Sequence, residues 1–400
     1  MVETAYSCKV CGATTLEPLP DYSSLPRVTS DCKPWPAGGR LTVCGSCGAI
    51  QKIPDRTWLD ETAAIYGEYE IYHLSGGEEQ VIFDVGSTAC APRSRRLVDF
   101  IVKTLALSQT GRLLDIGCGN GAGLTNFSKA LPGWTLFGSE LNDKALQILR
   151  QFPNFDTLFT CAPSDIPGVY DLVSLIHSLE HMPEPLDTVR NAGRLIADGG
   201  WLSVQVPDAR TSPFDLLVAD HLLHFTTATL GQIVNRAGFT KRILTDVLLK
   251  KELTFIGQQG EVEVTPSPSD PDEGRVLVCA HLQWLHDVIA AAQSVAVTGK
   301  QFGILGTSIS GMWLFGALGD QVEFFVDEDT SRVGQTYQGR NIYRPEDAPA
   351  GANVFMPLIP DIAAAVAARC AKLPARFHVP PPYSKAMASH RNACDIQSAW

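Results

Sequence analysis

A glycine-rich run, Asp115 to Gly121 (Asp-Ile-Gly-Cys-Gly-Asn-Gly), contains the residues whose types and spacing point most directly to chemistry. Gly117, Gly119 and Gly121 alternate along it, so the backbone can turn tightly and approach a ligand closely. An apolar strand precedes the run and an amphipathic helix follows it, and the first turn of that helix offers unpaired N–H groups to a ligand. The pattern predicts a nucleotide-type cofactor loop. The alternative is that the glycines only turn the chain.

The spacing D-x-G-x-G-x-G differs from the dinucleotide fingerprint G-x-G-x-x-G and resembles motif I of class I S-adenosylmethionine-dependent methyltransferases. The resemblance implies that Asp115 faces the ammonium group of the methionine. Glu140 ends a second apolar strand at about the 20-residue distance where a carboxylate binds a ribose diol. The adenine is expected to contact backbone groups after the third strand or Asp165.

Composition and charge narrow the class of protein. The chain has 400 residues, is 45% hydrophobic and has a net charge of −11. This length predicts two or three domains. The negative charge argues against a nucleic-acid or anionic-membrane partner and favours a small-molecule substrate. Because neither an amino-terminal export signal nor a long uncharged apolar stretch is visible, we expect a cytoplasmic protein. The oligomeric state stays open.

Two cysteine pairs have the spacing of zinc knuckles. Cys8 and Cys11 form one pair and Cys44 and Cys47 the other, each in a C-x-x-C-G sequence. Two such knuckles predict one tetrahedral zinc ion, structural because four thiolates leave no open position. Cys32 is the substitute if one of the four is not a ligand. Disulfides are the alternative, which a reducing compartment disfavours.

Helical and strand patterns alternate from about residue 90 to 260, which predicts a largely parallel sheet with helices on both faces. A proline-rich stretch, 265–272, then predicts a linker before a smaller second α/β domain. Its Gly306 to Gly311 loop either binds a phosphate or only turns the chain. The predicted elements are helices 94–107, 121–130, 143–151, 185–196, 228–237 and 275–295, strands 112–116, 134–139, 171–176, 200–206, 302–306, 322–326 and 353–356, and a closing strand pair within 240–258.

Taken together, these modules resemble the sugar C-methyltransferases that act on nucleotide-linked 4-keto deoxysugars. The matching features include the cysteine knuckles, the glycine-rich run, Leu179 to Pro183, Asp220 to Phe225, and Val326-Asp327. The resemblance implies an α/β fold with an amino-terminal zinc-binding module (1–85), a class I methyltransferase domain with a Rossmann-like sheet (86–262) and a second, smaller Rossmann-like domain (274–400). It implies S-adenosylmethionine and Zn²⁺ as cofactors and a nucleotide sugar as substrate.

The same resemblance implies roles in removing a C–H proton beside a ketone. His221 occupies the position of the family's base, and Asp220 beside it orients a ring or holds a sugar hydroxyl. Tyr72 is expected to donate to the enolate oxygen. His177 and His181 follow a strand at the carboxyl edge, where open α/β sheets bind ligands. Each of these side chains has an alternative role in ordinary packing or capping.

The residues leave two other functions open. An O-methyltransferase would use the same donor, and His221 would deprotonate an alcohol of a sugar or natural product. A non-catalytic scaffold would keep the cofactor loop as a vestige. The intact Asp115, glycines and Glu140 argue against the scaffold.

Overall fold

A computed structural model describes residues 6–69, 81–82, 91–260 and 270–383. Their contacts divide the chain into two compact units, each assembled from several segments. Unit 1 comprises Met1–Thr15, Gly77–Ala209 and Leu222–Asp270, and unit 2 comprises Leu16–Gly76, Arg210–His221 and Pro271–Trp400. The division into three consecutive domains stays a prediction. Within the described residues, no helix is both long and apolar enough to cross a membrane.

The first segment of unit 2 is a small β structure followed by a helix. β1 pairs antiparallel with β4, β4 with β5, and β2 with β3. The helix α1 was not among the predicted elements. It starts at Asp55, whose carboxylate accepts a hydrogen bond of 2.9 Å from the backbone N–H of Trp58 and caps the first turn. The elements are β1 Leu16–Pro18, β2 Arg27–Val28, β3 Pro34–Trp35, β4 Leu41–Cys44, β5 Ile50–Lys52 and α1 Arg56–Gly67.

Unit 1 contains the part of the chain in which helices and strands alternate. Its strands are β6 Val81–Ile82, β7 Ala91–Pro92, β8 Gly111–Ile116, β9 Trp134–Ser139, β10 Phe155–Phe159, β11 Tyr170–Ile176, β12 Ile196–Pro207, β13 Leu223–His224, β14 Phe239–Thr245 and β15 Glu252–Gln259. Its helices are α2 Arg93–Thr104, α3 Ala122–Ala130, α4 Leu146–Leu149, α5 Pro185–Arg194 and α6 Thr227–Arg236.

Seven of these strands form one sheet in the order β10-β9-β8-β11-β12-β15-β14. The first five are parallel, whereas β15 runs antiparallel to both β12 and β14. The chain order reverses between β8 and β11, which makes the carboxyl ends of these two strands a topological switch point, the place where open α/β sheets bind ligands. The predicted α/β fold is confirmed. The prediction omitted β10, and the helix expected at 143–151 shortens to α4.

The last segment of unit 2 forms a second, six-stranded sheet in the order β18-β19-β17-β16-β20-β21. All its neighbours are parallel except β18 and β19. This confirms the predicted second α/β sheet. The elements are α7 Pro271–Ala296, β16 Phe302–Leu305, α8 Ile309–Leu318, β17 Phe324–Val326, β18 Thr336–Tyr337, β19 Arg340–Tyr343, β20 Asn353–Phe355, α9 Pro360–Cys370 and β21 Arg376–His378.

The segments of unit 2 share one hydrophobic core. Tyr22 and Val28 from its first segment and Val218 from the second lie in the same buried cluster as Trp284 and Trp313 from the third. Val28 and Val218 also form an isolated β-bridge, which ties the first two segments together through the backbone. Segments that are far apart in sequence therefore depend on one another for burial.

Candidate functional site

The glycine-rich run forms the turn between β8 and α3. Gly117, Gly119 and Gly121 have φ values of 73°, 54° and 84°, in the left-handed region that favours glycine. A Cβ atom on Gly117 would lie 2.5 Å from the Cβ of Ser178, so this position also has no room for a side chain. The Ser178 hydroxyl donates a hydrogen bond of 2.8 Å to the carbonyl of Ile116, at the end of β8. The loops after β8 and β11 are thus locked together.

Asp115 lies near the end of β8 and is buried. Its carboxylate accepts a hydrogen bond of 2.7 Å from the hydroxyl of Ser174, on β11. Burial raises the pKa of Asp115 to about 7, and the nearby Glu140 adds to the rise while the Ser174 hydrogen bond opposes it. A cationic ligand group would stabilise the ionised carboxylate at this position. This environment fits the ammonium group of S-adenosylmethionine.

Glu140 directly follows β9 and closes the glycine loop. Its Oε2 accepts a hydrogen bond of 2.9 Å from the N–H of Gly119, and its Oε1 accepts one of 2.8 Å from the N–H of Leu141. The carboxylate is therefore fixed against the loop that would hold the donor, where it could accept from the hydroxyls of a ribose. Asp165 ends the 3-10 helix Pro163–Asp165 after β10 and is exposed. Its contact with adenine stays a prediction.

His177 follows β11 at the same carboxyl edge, with a φ of 50°. Its Nδ1 lies 3.4 Å from Oε1 of Glu180, and its Nε2 lies 3.2 Å from Oε2 of Glu252. Glu252 also accepts a hydrogen bond of 2.9 Å from Arg93. Burial lowers the pKa of His177, but Glu252 and Glu180 raise it by more, so the net change is a rise. His181 is half-buried in the 3-10 helix Leu179–His181.

His221 belongs to unit 2, where it is buried at the end of the segment that begins at Arg210. Its Nδ1 lies 2.7 Å from Oδ1 of Asp215. A carboxylate at Nδ1 holds the proton there in the neutral ring, so the basic lone pair is on Nε2. This is the arrangement of an oriented general base. Tyr72 lies outside the described residues.

The carboxylate beside the His221 ring is that of Asp215, and the expectation that Asp220 orients a ring or holds a sugar hydroxyl stays a prediction. Asp220 accepts hydrogen bonds of 3.0 Å from the N–H and 2.5 Å from the hydroxyl of Ser30, in the same unit. Asp215 was missed because six residues separate it from His221, and nothing in the sequence shows that the intervening turn brings them together. Ser174 was missed for a similar reason, since its role depends on the neighbouring strand.

The two cysteine pairs have the same local backbone geometry, each within its own unit. In unit 1, Gly12 donates a hydrogen bond of 2.9 Å to the carbonyl of Cys8 and has a φ of 84°. In unit 2, Gly48 donates one of 2.9 Å to the carbonyl of Cys44 and has a φ of 70°. Such tight turns fit paired thiolate ligands. Zinc binding by these four cysteines stays a prediction.

The second glycine-containing loop follows β16 in unit 2, and hydrogen bonds from neighbouring side chains fix its conformation. Asp327 accepts hydrogen bonds of 3.1 Å and 2.7 Å from the N–H and the hydroxyl of Thr307. Arg332 donates one of 3.1 Å to the same hydroxyl. The carboxylate beside this loop is thus engaged in shaping it, which favours a structural turn over a phosphate site.

Residues 91–242 match the family model of a methyltransferase domain. Among curated proteins, a ubiquinone biosynthesis O-methyltransferase of Nitrosomonas europaea is 30% identical over 98 residues, which is 22% of this chain and 41% of the relative. The corresponding enzyme of Bordetella bronchiseptica is 33% identical over 99 residues, 23% of this chain and 40% of the relative. The chain thus spans less than half the length of these relatives.

Among solved structures, an S-adenosylmethionine-dependent methyltransferase from Clostridium acetobutylicum is 12% identical with a TM-score of 0.36, covering 42% of this chain and 91% of that one. The family match agrees with the strand order and with the glycine loop between β8 and α3. Residues 91–242 are therefore a class I S-adenosylmethionine-dependent methyltransferase domain.

Proposed function

We propose that the chain transfers a methyl group from S-adenosylmethionine to a small-molecule acceptor. One observation supports this above others: two carboxylates, Asp115 and Glu140, flank a loop whose glycines have left-handed backbone angles. When bound, the donor would supply an electrophilic methyl group on a sulfonium. Asp115 would hold its ammonium group, Glu140 its ribose, and Asp165 or nearby backbone its adenine.

The acceptor proposed first is a nucleotide-linked 4-keto deoxysugar, methylated at a carbon beside the ketone. His221 would remove the α-proton, and Asp215 would stabilise the imidazolium that forms. The enolate oxygen requires a hydrogen-bond donor, a role proposed for Tyr72, and His177 and His181 are proposed to contact the acceptor. The residue matches to the sugar C-methyltransferases support this assignment.

The second candidate is O-methylation, which the printed names of the relatives favour. The same donor site would serve, and His221 would take the proton of a hydroxyl instead of a C–H group. The zinc ion proposed for Cys8, Cys11, Cys44 and Cys47 would be structural in either case.

Hydrogen exchange at the acceptor separates the two reactions. Nucleoside-diphosphate 4-keto-6-deoxyhexoses are incubated with the protein and S-adenosylhomocysteine in heavy water and analysed by mass spectrometry. Carbon methylation predicts deuterium at the α-carbon, and His221→Ala should abolish it. O-methylation predicts no such exchange, and a separate incubation with S-adenosylmethionine should then give a product methylated at a hydroxyl. If calorimetry detects no binding of S-adenosylhomocysteine, the enzyme proposal fails and a scaffold role replaces it.

A further inference from the structure

Ser30 follows β2 in unit 2 and makes hydrogen bonds to two other parts of that unit. Its N–H donates a hydrogen bond of 3.0 Å to Oδ1 of Asp220, and its Oγ lies 2.5 Å from Oδ2 of the same carboxylate. The Ser30 Oγ also lies 3.1 Å from the hydroxyl oxygen of Tyr69, which follows α1. These three residues therefore form one hydrogen-bonded chain, the Tyr69–Ser30–Asp220 chain.

The direction of the hydrogen bonds in this chain follows from the protons that are available. An ionised carboxylate only accepts hydrogen bonds, and Lys52 is close enough for its ammonium group and the Asp220 carboxylate to stabilise each other's charge. The single hydroxyl proton of Ser30 is therefore donated to Asp220, so Ser30 can only accept from Tyr69. The hydroxyl proton of Tyr69 is consequently donated to Ser30.

The chain runs from a buried carboxylate to a side chain that solvent reaches. Asp220 is fully buried, whereas Ser30 and Tyr69 are half-buried. Asp220 also directly precedes His221, the proposed base, so the Tyr69 hydroxyl is tied through Ser30 to the segment that carries this base. The carboxylate polarises both hydroxyl groups of the chain, which makes the oxygen of Tyr69 a stronger hydrogen-bond acceptor.

We propose that Tyr69 is a specificity-determining residue that accepts a hydrogen bond from a hydroxyl group of the acceptor. Because its own proton is donated to Ser30, its oxygen offers a ligand only lone pairs. Such an oxygen recognises a hydroxyl or an amine, and it does not donate to a ketone, an enolate or a phosphate. The inference rests on the proposed sugar acceptor, whose hydroxyl groups belong to the recognised class.

The test compares sugar nucleotides that differ in one group. Each is a nucleoside-diphosphate 4-keto-6-deoxyhexose with a hydroxyl, a fluorine or a hydrogen at C2, and a second series varies C3. Binding to the full-length protein saturated with S-adenosylhomocysteine is measured by calorimetry. At one of these carbons the hydroxyl compound should bind about 3- to 10-fold more tightly than the hydrogen compound, the effect of one hydrogen bond. Fluorine only accepts, so the fluorinated compound should bind like the hydrogen compound.

Two variants test the roles of Tyr69 and Ser30. Tyr69→Phe should remove the preference for the hydroxyl compound, because the accepting oxygen is gone. Ser30→Ala should release the hydroxyl proton of Tyr69, so the fluorinated compound should bind about two- to threefold more tightly than the hydrogen compound. Tyr66→Phe is the control and should keep the wild-type preference, because Tyr66 contacts the ring of Tyr69, with centroids 5.3 Å apart, but does not belong to the chain.

Equal binding of the three compounds in both series, or a preference that survives in Tyr69→Phe, overturns the inference while the sugar acceptor stands. If Tyr69→Phe does not fold, as judged by its thermal midpoint, Ser30→Ala decides alone. An unchanged ratio of affinities for the fluorinated and hydrogen compounds then rejects the fixed direction of the chain. If no compound binds although S-adenosylhomocysteine does, the sugar acceptor fails together with this inference, and the donor site stands.

Discussion

Asp115 combines burial with an acidic side chain, and its environment makes donor binding depend on pH. Its pKa is raised by burial to about 7, so lowering the pH protonates the carboxyl group and removes the charge that pairs with an ammonium. We expect the affinity for S-adenosylhomocysteine to weaken by up to about tenfold for each pH unit below about 7. Calorimetry at several pH values measures this.

Asp115→Asn is the matched variant for that experiment. It should bind the donor more weakly by about 10- to 100-fold at neutral pH and should lose the pH dependence, because no carboxylate remains to titrate. A wild-type affinity that stays constant from about pH 6 to about pH 7.5 would contradict the role of Asp115.

His221 is expected to act on turnover and not on donor binding. His221→Ala should lower turnover by on the order of 10²–10⁴-fold at saturating donor, because a general base is lost. Asp215→Asn should also lower turnover, since the ring loses the group that holds its proton on Nδ1. Should Tyr72→Phe abolish turnover while His221→Ala leaves it near normal, the tyrosine carries the proton transfer.

The sequence could predict residues whose role follows from local spacing. The glycine-rich run and Glu140 are such residues, because each directly follows a strand that the sequence pattern predicts. It could not predict Asp215 or Ser174, whose roles arise when separate elements meet. The burial of Lys52, at the end of β5, is a further case, since lysine is normally exposed and here its ammonium donates to the carbonyls of Val218 and His221.

The turn between β8 and α3 depends on the close approach of the loop that follows β11. Gly117→Ala should weaken donor binding at least about tenfold, because its φ of 73° is strained for alanine and the new Cβ would strike Ser178. Gly199→Ala is the control: its φ is 74°, but nothing lies within 4 Å of an added Cβ. It should lower the thermal midpoint without changing donor affinity. Equal loss of affinity in both variants would contradict the argument.

The elements with a clear hydrophobic period were predicted within a few residues of their observed bounds. The strand β10 was not, because it lies at an edge of the sheet and its residues are only partly buried or exposed. Such a strand lacks the apolar alternation that marks a buried one. The helix α4 begins later than predicted, because Oδ1 of Asn142 accepts a hydrogen bond of 3.0 Å from the N–H of Lys144 and this turn occupies the expected first helical residues.

The structural role of the proposed zinc site can be tested without measuring catalysis. Cys44→Ser should lower the zinc content and the solubility together, because losing a ligand removes metal-coupled folding energy. Cys161→Ser, which changes an exposed cysteine outside both knuckles, is the control and should retain the metal. Metal content by mass spectrometry and the thermal midpoint are the measurements. A folded, active and zinc-free Cys44→Ser protein would rule out the structural role.

The interrupted course of unit 2 has a consequence for synthesis on the ribosome. Its first segment, Leu16–Gly76, emerges early, but its third segment begins at Pro271, roughly two hundred residues later. Until then Tyr22 and Val28 have no access to Trp284 and Trp313, the aromatic residues of their shared core. Unit 1 can be completed first, whereas the segment carrying His221 waits for the last part of the chain. A nascent chain stalled after residue 270 would therefore carry a folded unit 1 with the proposed donor site, whereas unit 2, with the proposed base, would be incomplete and its apolar residues would be accessible to chaperones.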